Sequence, residues 1–274
     1  MIAQEDLRGG LPMYALPELE DTIAAWWRGI AEHMRQAGAP ALPEEPEHPS
    51  DLDSMWLSPT LVLAQTCGYP LTHDLAGRAR YVATLCHGAP GCAGPNYRSC
   101  LIVRQGDPAK SLIDLRGRRA VINSWESHSG MNALGHALAQ VNARGSFFSS
   151  LQVSGGHRKS LAWLREGCAD VAAIDCVTYA LLQQEAPQET KPLRVLEMTD
   201  SAPGLPLITA LTTSDAEVGA LRLGLRAAVA DRDLEPLRRR LLVTGVEVLP
   251  EGAYRRILDM ERVATALSPN VWLM

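Results

Sequence analysis

The clearest helical pattern lies near the amino terminus. Apolar residues recur three and four positions apart from Ile23 to Met34, which is the spacing of one buried helix face. Pro17 and the acidic residues after it suit the first turn of this helix, and Gly38 suits its end. Four prolines within residues 39–50 then predict an exposed loop.

Strand and helix patterns alternate through the middle of the chain. Strands are predicted at residues 81–86, 97–104, 120–123, 147–153, 171–174, 193–198 and 207–212, and helices at residues 131–141, 159–166 and 177–184. Alternation of this kind predicts βαβ units, a largely parallel sheet and the α/β class. The tail is mostly helical, at residues 215–230, 233–242 and 251–266, with Val246, Glu247 and Val248 between the last two helices.

The segment between residues 52 and 96 has a different pattern. It predicts a short strand at 52–57 and then a helix that begins at Ser58, with Pro59 in its first turn, and ends at Gly68. A loop rich in glycine and proline follows the strand at 81–86 and covers residues 87–96.

Length and charge narrow the function classes. The chain has 274 residues, enough for two domains, and its 26 basic and 31 acidic residues give a net charge of −5, which argues against a nucleic-acid partner. No stretch reaches the roughly 18 apolar residues of a membrane span. The first residues have no secretory signal pattern, so the expectation is a cytoplasmic chain as written, or a periplasmic one if a signal has been trimmed.

The six cysteines form no CxxC pair and no set with zinc spacing. We therefore expect no metal site. Cys86 and Cys92 flank a Gly/Pro loop that a disulfide could span, but free thiols in a reducing compartment are the favoured alternative.

One segment carries the clearest candidate chemistry. Residues 123–130 read NSWESHSG, follow a buried strand and open a helix. Hydroxyls, an imidazole and unpaired backbone amides at a helix N-terminus favour an anion. The alternative is that Ser127, His128 and Ser129 only cap the helix.

Two further strand-to-helix turns carry His157 and Asp175. In a parallel sheet such turns gather at the carboxyl ends of the strands, where ligands bind. Alone, His157 would be a solvated loop residue and Asp175 an N-cap. The chain lacks G-x-S-x-G, G-x-G-x-x-G and the P-loop pattern, so we expect no cofactor and no catalytic set.

Several segments occur in a familiar order: SCLIVR at 99–104, SLIDLRG at 111–117, AVIN at 120–123, SHSG at 127–130, GGH at 155–157 and ADVAAID at 169–175. This series resembles the phosphate/phosphonate-type substrate-binding proteins of ABC transporters, in the type II periplasmic-binding-protein superfamily. The resemblance covers roughly residues 11–212 and is strongest over 97–180.

The resemblance implies a two-lobed α/β fold with a ligand held in an interlobe cleft. Lobe one would comprise residues 1–96 plus 203–274, and lobe two, inserted in the middle, residues 97–202. The hinge would lie near residues 97–99 and 199–204.

The resemblance also implies binding residues. Ser127, His128 and Ser129 match the oxyanion-holding turn, although His128 replaces a familiar threonine. His157 matches a histidine after the next strand, and Asp175 approximately matches a polar position after the following one. Tyr97 matches an aromatic residue at the hinge. Tyr14 and Trp56 are the expected aromatic walls, and Ser58 is taken as a further ligand contact.

The expected function is capture of a small oxyanion, a phosphonate or a phosphorylated compound, for an ABC transporter permease. The alternatives are a cytoplasmic enzyme or a ligand sensor on the same fold, with His128 or His157 as acid or base. For the binding protein, histidines with ordinary pKa values would strengthen dianion binding as pH falls from about 8 toward 6.

Overall fold

The computed structural model describes residues 7–141 and 146–267 of the chain. These residues form two compact units. Unit 1 contains residues 7–88, Ala93–Pro95 and Pro203–Ala253, and unit 2 contains Ala89–Cys92, Asn96–Ala202 and the described residues from Tyr254 onward.

The described strands, numbered in chain order, are β1 (Arg8–Gly10), β2 (Leu61–Gln65), β3 (Ala79–His87), β4 (Asn96–Tyr97), β5 (Ser99–Arg104), β6 (Arg119–Ile122), β7 (Ser150–Val153), β8 (Val171–Asp175), β9 (Leu193–Met198), β10 (Ala202–Pro203), β11 (Pro206–Ala210) and β12 (Val243–Glu247). The α-helices are α1 (Glu20–Gln36), α2 (Leu52–Trp56), α3 (Gly68–Thr72), α4 (Ala133–Gln140), α5 (His157–Glu166), α6 (Cys176–Glu185), α7 (Pro187–Thr190), α8 (Asp215–Ala230), α9 (Glu235–Arg240) and α10 (Arg255–Leu267). Short 3-10 turns cover Pro12–Tyr14, Pro17–Leu19 and Leu112–Leu115, and a π-turn covers His128–Asn132.

Unit 1 is built on a mixed sheet of order β1-β2-β11-β3-β12. Only the β1–β2 pair among these is parallel; β11 and β12 run against their neighbours. Helix α1 packs on α8, where a Cβ at Gly224 would lie 2.6 Å from the Met34 Cα. Trp26 and Trp27, on the apolar face that the sequence predicts, are fully buried.

Unit 2 contains the sheet of order β7-β6-β8-β5-β9. β6 is parallel to β7 and to β8, while β5 is antiparallel to both β8 and β9. Four of these strands therefore point the same way, which confirms the largely parallel sheet predicted for this region. The carboxyl ends of β6, β7 and β8 share one edge, so the turns that follow them are neighbours.

Most predicted elements are confirmed within a few residues, but the interpretation of residues 52–68 is wrong. Residues 52–56 form helix α2, because the Asp51 side chain accepts hydrogen bonds from the amides of Asp53 and Ser54 and caps it. Residues 61–65 form strand β2, fully buried, rather than a helix that begins at Ser58. A short apolar run fits either structure on periodicity alone.

The expected assignment of the C-terminal segment to lobe one is also wrong. Helix α10 packs against α4 of unit 2, and its Ile257 and Met260 are fully buried. The Asn132 Nδ2 donates a hydrogen bond of 3.0 Å to the Ile257 carbonyl oxygen. Apolar burial and this polar tie make residues from Tyr254 onward part of unit 2.

None of the helices in the described part of the chain combines the length and the apolar character needed to cross a membrane.

Candidate functional site

The site begins where β6 ends and the π-turn opens. Residues 127–130, here called the Ser127 turn, are buried, with Ser127 5% and Ser129 4% exposed. The Ser127 Oγ accepts a hydrogen bond of 3.0 Å from the Gly130 amide, and the Ser127 carbonyl accepts from the amides of Met131 and Asn132. The π-turn continues directly into α4, so the Ser127 turn forms the N-terminus of one long helical segment.

Gly130 is required by a close approach of two chain segments. A Cβ at Gly130 would lie 1.7 Å from the Oδ1 of Asn123, the residue that follows β6. That Oδ1 is buried and has no hydrogen-bond partner among the described residues. The Asn123 side chain is therefore pressed against the backbone of the Ser127 turn.

A second turn contributes an imidazole to the same place. His157, the first residue of α5, follows β7, and its Nε2 lies 2.9 Å from the Ser129 Oγ. The Ser127 and Ser129 hydroxyl oxygens are 3.5 Å apart. Two strand-to-helix turns that are separated in sequence thus bring two hydroxyls and one imidazole together at one edge of the unit 2 sheet.

His157 is neutral at physiological pH. Burial of the ring lowers the pKa of His157 to about 4. The residue as a whole is partly exposed, but its Nδ1 is enclosed without a hydrogen-bond partner among the described residues. A proton on Nδ1 would be an orphaned donor, so we assign the proton to Nε2, which then donates to Ser129. The Ser129 hydroxyl hydrogen is consequently free to point at another acceptor.

His128 is also neutral, for the same physical reason. Burial, followed by the charges of His136 and Arg256, lowers the pKa of His128 to about 3. The Asn132 Nδ2 lies 3.1 Å from the His128 Nδ1 and also faces the Ile257 carbonyl, which fixes the amide orientation. The His128 Nδ1 therefore accepts, and its proton resides on Nε2.

Tyr97 belongs to the same unit and lies beside His128. The two rings are tilted by 50° with centroids 6.0 Å apart, and Tyr97 is buried. The structure therefore places five predicted residues, Ser127, His128, Ser129, His157 and Tyr97, in one connected group.

Asp175 has a different local role. Residues 175–178, here called the Asp175 turn, follow β8, and the Asp175 Oδ1 accepts hydrogen bonds from the amides of Val177 at 2.7 Å and Thr178 at 3.1 Å. Asp175 is 2% exposed and caps α6. This geometry is the N-cap alternative that the sequence left open.

The other three candidates, Tyr14, Trp56 and Ser58, belong to unit 1. Trp56 is 5% exposed, packs among apolar residues with Met55 and Ile208, and donates from Nε1 to the Gln65 carbonyl. That packing makes Trp56 a core residue. Ser58 bonds locally, with its Oγ 2.9 Å from the Thr60 Oγ1.

Tyr14 forms an aromatic pair within unit 1. Its ring meets the His87 ring edge-on at 5.2 Å, and burial lowers the pKa of His87 to about 4. Sequence reasoning did not select His87, because no local pattern connects it with Tyr14. It included Asn123 and Gly130 in the candidate segment without giving either a role, and it missed Asn132. The i, i+4 spacing of His128 and Asn132 was a usable signal for that residue.

In the described ranges, no three histidine, cysteine or acidic residues are grouped so that they could hold a metal ion. The donors of the Ser127 turn are uncharged hydroxyl, imidazole and amide groups. Such a set can bind an oxyanion through hydrogen bonds, which are stronger when the acceptor is charged.

Comparison with solved structures shows which proteins share this fold. The chain shares 18% identity with a binding-protein component of an ABC phosphonate transporter from Pseudomonas aeruginosa, with a TM-score of 0.74 over 96% of this chain and 89% of that one. PhnD1 from Prochlorococcus marinus, in complex with methylphosphonate, shares 13% identity with the chain, with a TM-score of 0.73 over 93% of this chain and 97% of that one. A Xanthomonas citri protein bound to ATP shares 18% identity with the chain, with a TM-score of 0.70 over 95% of this chain and 97% of that one.

These structural likenesses establish the two-lobed α/β fold class, as expected from the sequence. No curated protein sequence matches the chain. The family model of the periplasmic substrate-binding proteins of ABC phosphonate transporters matches residues 60–248, well over half of the sequence. On that match, the chain belongs to the phosphonate-type periplasmic substrate-binding proteins of ABC transporters.

Proposed function

We propose that this protein captures a small phosphorus oxyanion, a phosphonate or a phosphate monoester, at the Ser127 turn. The observation that carries the proposal is the 2.9 Å contact between the Ser129 Oγ and the His157 Nε2. It links two separate turns into one donor group at a helix N-terminus. His128 and Tyr97 complete the surroundings of that group.

The neutral donors and the helix N-terminus favour anion binding even though no positively charged side chain takes part. With the His157 proton on Nε2, the Ser129 hydroxyl can donate to the ligand, and so can the Ser127 hydroxyl, whose oxygen already accepts from Gly130. The helix N-terminus adds a partial positive charge of roughly half an elementary charge. Because neither histidine needs to be protonated, binding does not require burying a cation.

The family and the ligands of its structural neighbours support the ligand class. The Prochlorococcus marinus protein holds methylphosphonate, and the Xanthomonas citri protein holds ATP. Both ligands present phosphorus-bound oxygens. We infer that this chain recognises the same chemistry, with the rest of the ligand setting specificity.

Membership of the family supports a role in transport rather than catalysis. We infer that the protein presents its unaltered ligand to an ABC transporter permease, on the periplasmic side of the membrane. Tyr14 remains our candidate for an aromatic ligand contact from unit 1.

The experiment is a calorimetric screen of the full chain with methylphosphonate, other alkyl phosphonates, a phosphate monoester and ATP. The double variant Ser127→Ala/Ser129→Ala removes two hydroxyl donors, each worth about 1.5–3 kcal/mol against a charged acceptor. We expect affinity for the tightest ligand to fall at least tenfold.

The matched control is Ser150→Ala, at the opposite end of β7, which should bind like the parent protein. An unchanged Kd in the double variant would remove the Ser127 turn from the proposal. Mass spectrometry of the recovered ligand tests the transport role, because a chemically altered ligand would indicate an enzyme.

A further inference from the structure

Two cysteines of unit 2 are adjacent although they are far apart in sequence. The Cys92 Sγ lies 3.6 Å from the Cys176 Sγ. Cys176 is buried as the first residue of α6, whereas Cys92 is partly exposed. The more accessible thiol is therefore placed against a protected one.

The backbone around the pair is held close. The Cys92 amide donates to the Ala89 carbonyl at 2.9 Å, which closes a turn, and the Cys176 amide donates to the Arg98 carbonyl at 3.2 Å. Gly91 has a φ of +102°, and a Cβ there would lie 3.2 Å from the Cys176 Cβ. The turn that carries Cys92 thus rests directly on Cys176, by an approach that favours glycine at position 91.

We propose that Cys92 and Cys176 are a reversible disulfide site, oxidised by a low-molecular-weight or protein disulfide. A disulfide has a sulfur–sulfur distance of about 2.05 Å, so the two thiols must approach by roughly 1.5 Å. Side-chain rotation in the partly exposed 89–92 turn supplies a movement of that size. The proposal is independent of the ligand assigned to the Ser127 turn.

The chemistry proceeds in two exchange steps. The Cys92 thiolate attacks one sulfur of the oxidising disulfide, forms a mixed disulfide and releases the first thiolate. The Cys176 thiolate then attacks the Cys92 sulfur and releases the second. The cysteine pair loses two electrons, the oxidising disulfide gains two, and the two cysteine protons end on the released thiolates.

The environment assigns the order of attack. The hydrogen bond from the Cys176 thiol lowers the pKa of Cys92, while the same contact and burial raise the pKa of Cys176. The partly exposed Cys92 is therefore the attacking thiol. Cys86, the partner suggested by the sequence, instead has its Sγ 3.8 Å from the Glu247 Oε1.

The bond would join a turn to a helix that otherwise meet without a covalent link. The segment Ala89–Cys92 belongs to unit 2, whereas the residues directly before and after it belong to unit 1. A disulfide would attach this short segment covalently to the start of α6. Because the bond closes a long loop, it restricts the unfolded chain strongly.

The test uses the full chain treated with oxidised glutathione, then alkylated in denaturant. Intact mass should show four alkylated cysteines instead of six. Trypsin leaves Cys86 with Cys92 and Cys168 with Cys176 in single peptides, so mapping uses the Cys86→Ser/Cys168→Ser background. There, peptide 81–98 should be recovered linked to peptide 166–194.

Thermal unfolding supplies a second readout. Oxidation should raise the Tm by roughly 5–10 °C, and dithiothreitol should reverse the change. The Cys92→Ser variant should show five alkylated cysteines and a Tm that does not respond to oxidant. Six alkylated cysteines after oxidation, a link from Cys92 to Cys100 or Cys67, or a linked protein with no rise in Tm would each overturn the proposal.

Discussion

The Ser127 turn and the Asp175 turn occupy equivalent positions in unit 2, each between a strand of the same sheet and the helix that follows it. They satisfy their helix N-termini with different chemistry. One oxygen of the Asp175 carboxylate accepts hydrogen bonds from two backbone amides. The Ser127 hydroxyl accepts one amide and keeps its own hydrogen to donate.

The difference shows what makes a helix N-terminus available to an anion. A carboxylate cap satisfies the amides and also places a negative charge where an anion would sit. A serine cap satisfies an amide without adding charge. Position in the fold is shared by both turns, so the capping side chain decides which of them can bind an oxyanion.

Acid should produce the largest effect, because the Ser127 turn depends on neutral imidazoles. The pKa of His128 is about 3 when folded, against an ordinary value near 6.5. Between these values the unfolded chain binds the extra proton, so the free energy of unfolding falls as pH falls. The pKa difference of His128 alone should lower the free energy of unfolding by up to about 4 kcal/mol at pH 3. Urea unfolding across a pH series measures this loss.

The variant His128→Gln removes this titration. The free energy of unfolding of this variant should change less steeply with pH than that of the parent protein. The difference in slope should be about 1.4 kcal/mol per pH unit between roughly pH 4 and 6. His48→Gln, at an exposed position, serves as the control and should keep the slope of the parent. Identical slopes for all three proteins would contradict the burial of a neutral His128.

Gly130→Ala should have the next largest effect. The added methyl would overlap the Asn123 Oδ1, so the turn must move or strain, and we expect a loss of about 3 kcal/mol in unfolding free energy. Gly106→Ala, where a Cβ meets open space, is the matched control and should be nearly neutral. Adding Asn123→Ala should recover most of the loss; no recovery would assign the cost to something else.

Exchanging the caps tests the comparison directly. Ser127→Asp keeps an amide acceptor but places a carboxylate beside the ligand, and like charges at that distance cost several kcal/mol. We expect at least a hundredfold weaker oxyanion binding, about 2.7 kcal/mol, with little change in stability. The reciprocal variant Asp175→Ser should leave affinity within about twofold. Equal losses from both variants would refute the distinction between the turns.

The smallest expected effect concerns binding and pH. With pKa values of about 3 and 4, His128 and His157 stay neutral from pH 8 to 6. Affinity for an oxyanion that does not itself titrate in this range, such as sulfate, should therefore change less than about threefold. This revises the expectation, based on ordinary histidine pKa values, that binding strengthens steadily on acidification. Calorimetry at several pH values decides between them.

The sequence predicted elements well where periodicity was long or strongly alternating. Helix α1 and the strands from β5 to β9 follow from apolar spacing and β-branched runs. The prediction for residues 52–68 failed because the segment is short and apolar, which fits either a helix or a strand. The Asp51 cap and the full burial of β2 decide its structure instead. The α10 assignment failed because an amphipathic helix does not specify which surface covers its apolar face.

The candidate site shows a similar limit. Helix-opening turns and the parallel sheet were enough to select Ser127, Ser129 and His157. The pairing of Asn123 with Gly130 was invisible, since it depends on a backbone approach rather than on a motif. Trp56 was chosen for its chemistry, but its indole is used by the core of unit 1 and by the Gln65 carbonyl.

The bond between Asn132 and the Ile257 carbonyl also has a consequence for biosynthesis. Unit 2 holds the Ser127 turn, yet its last helix emerges from the ribosome only after Pro203–Ala253, which belongs to unit 1. At translation rates of about 5–20 residues per second, that interval lasts roughly 3–10 seconds. During it, Asn132 lacks the Ile257 carbonyl and the apolar face of α4 is not covered by α10. Nascent unit 2 is thus exposed to chaperones and proteases until the residues from Tyr254 onward have been made.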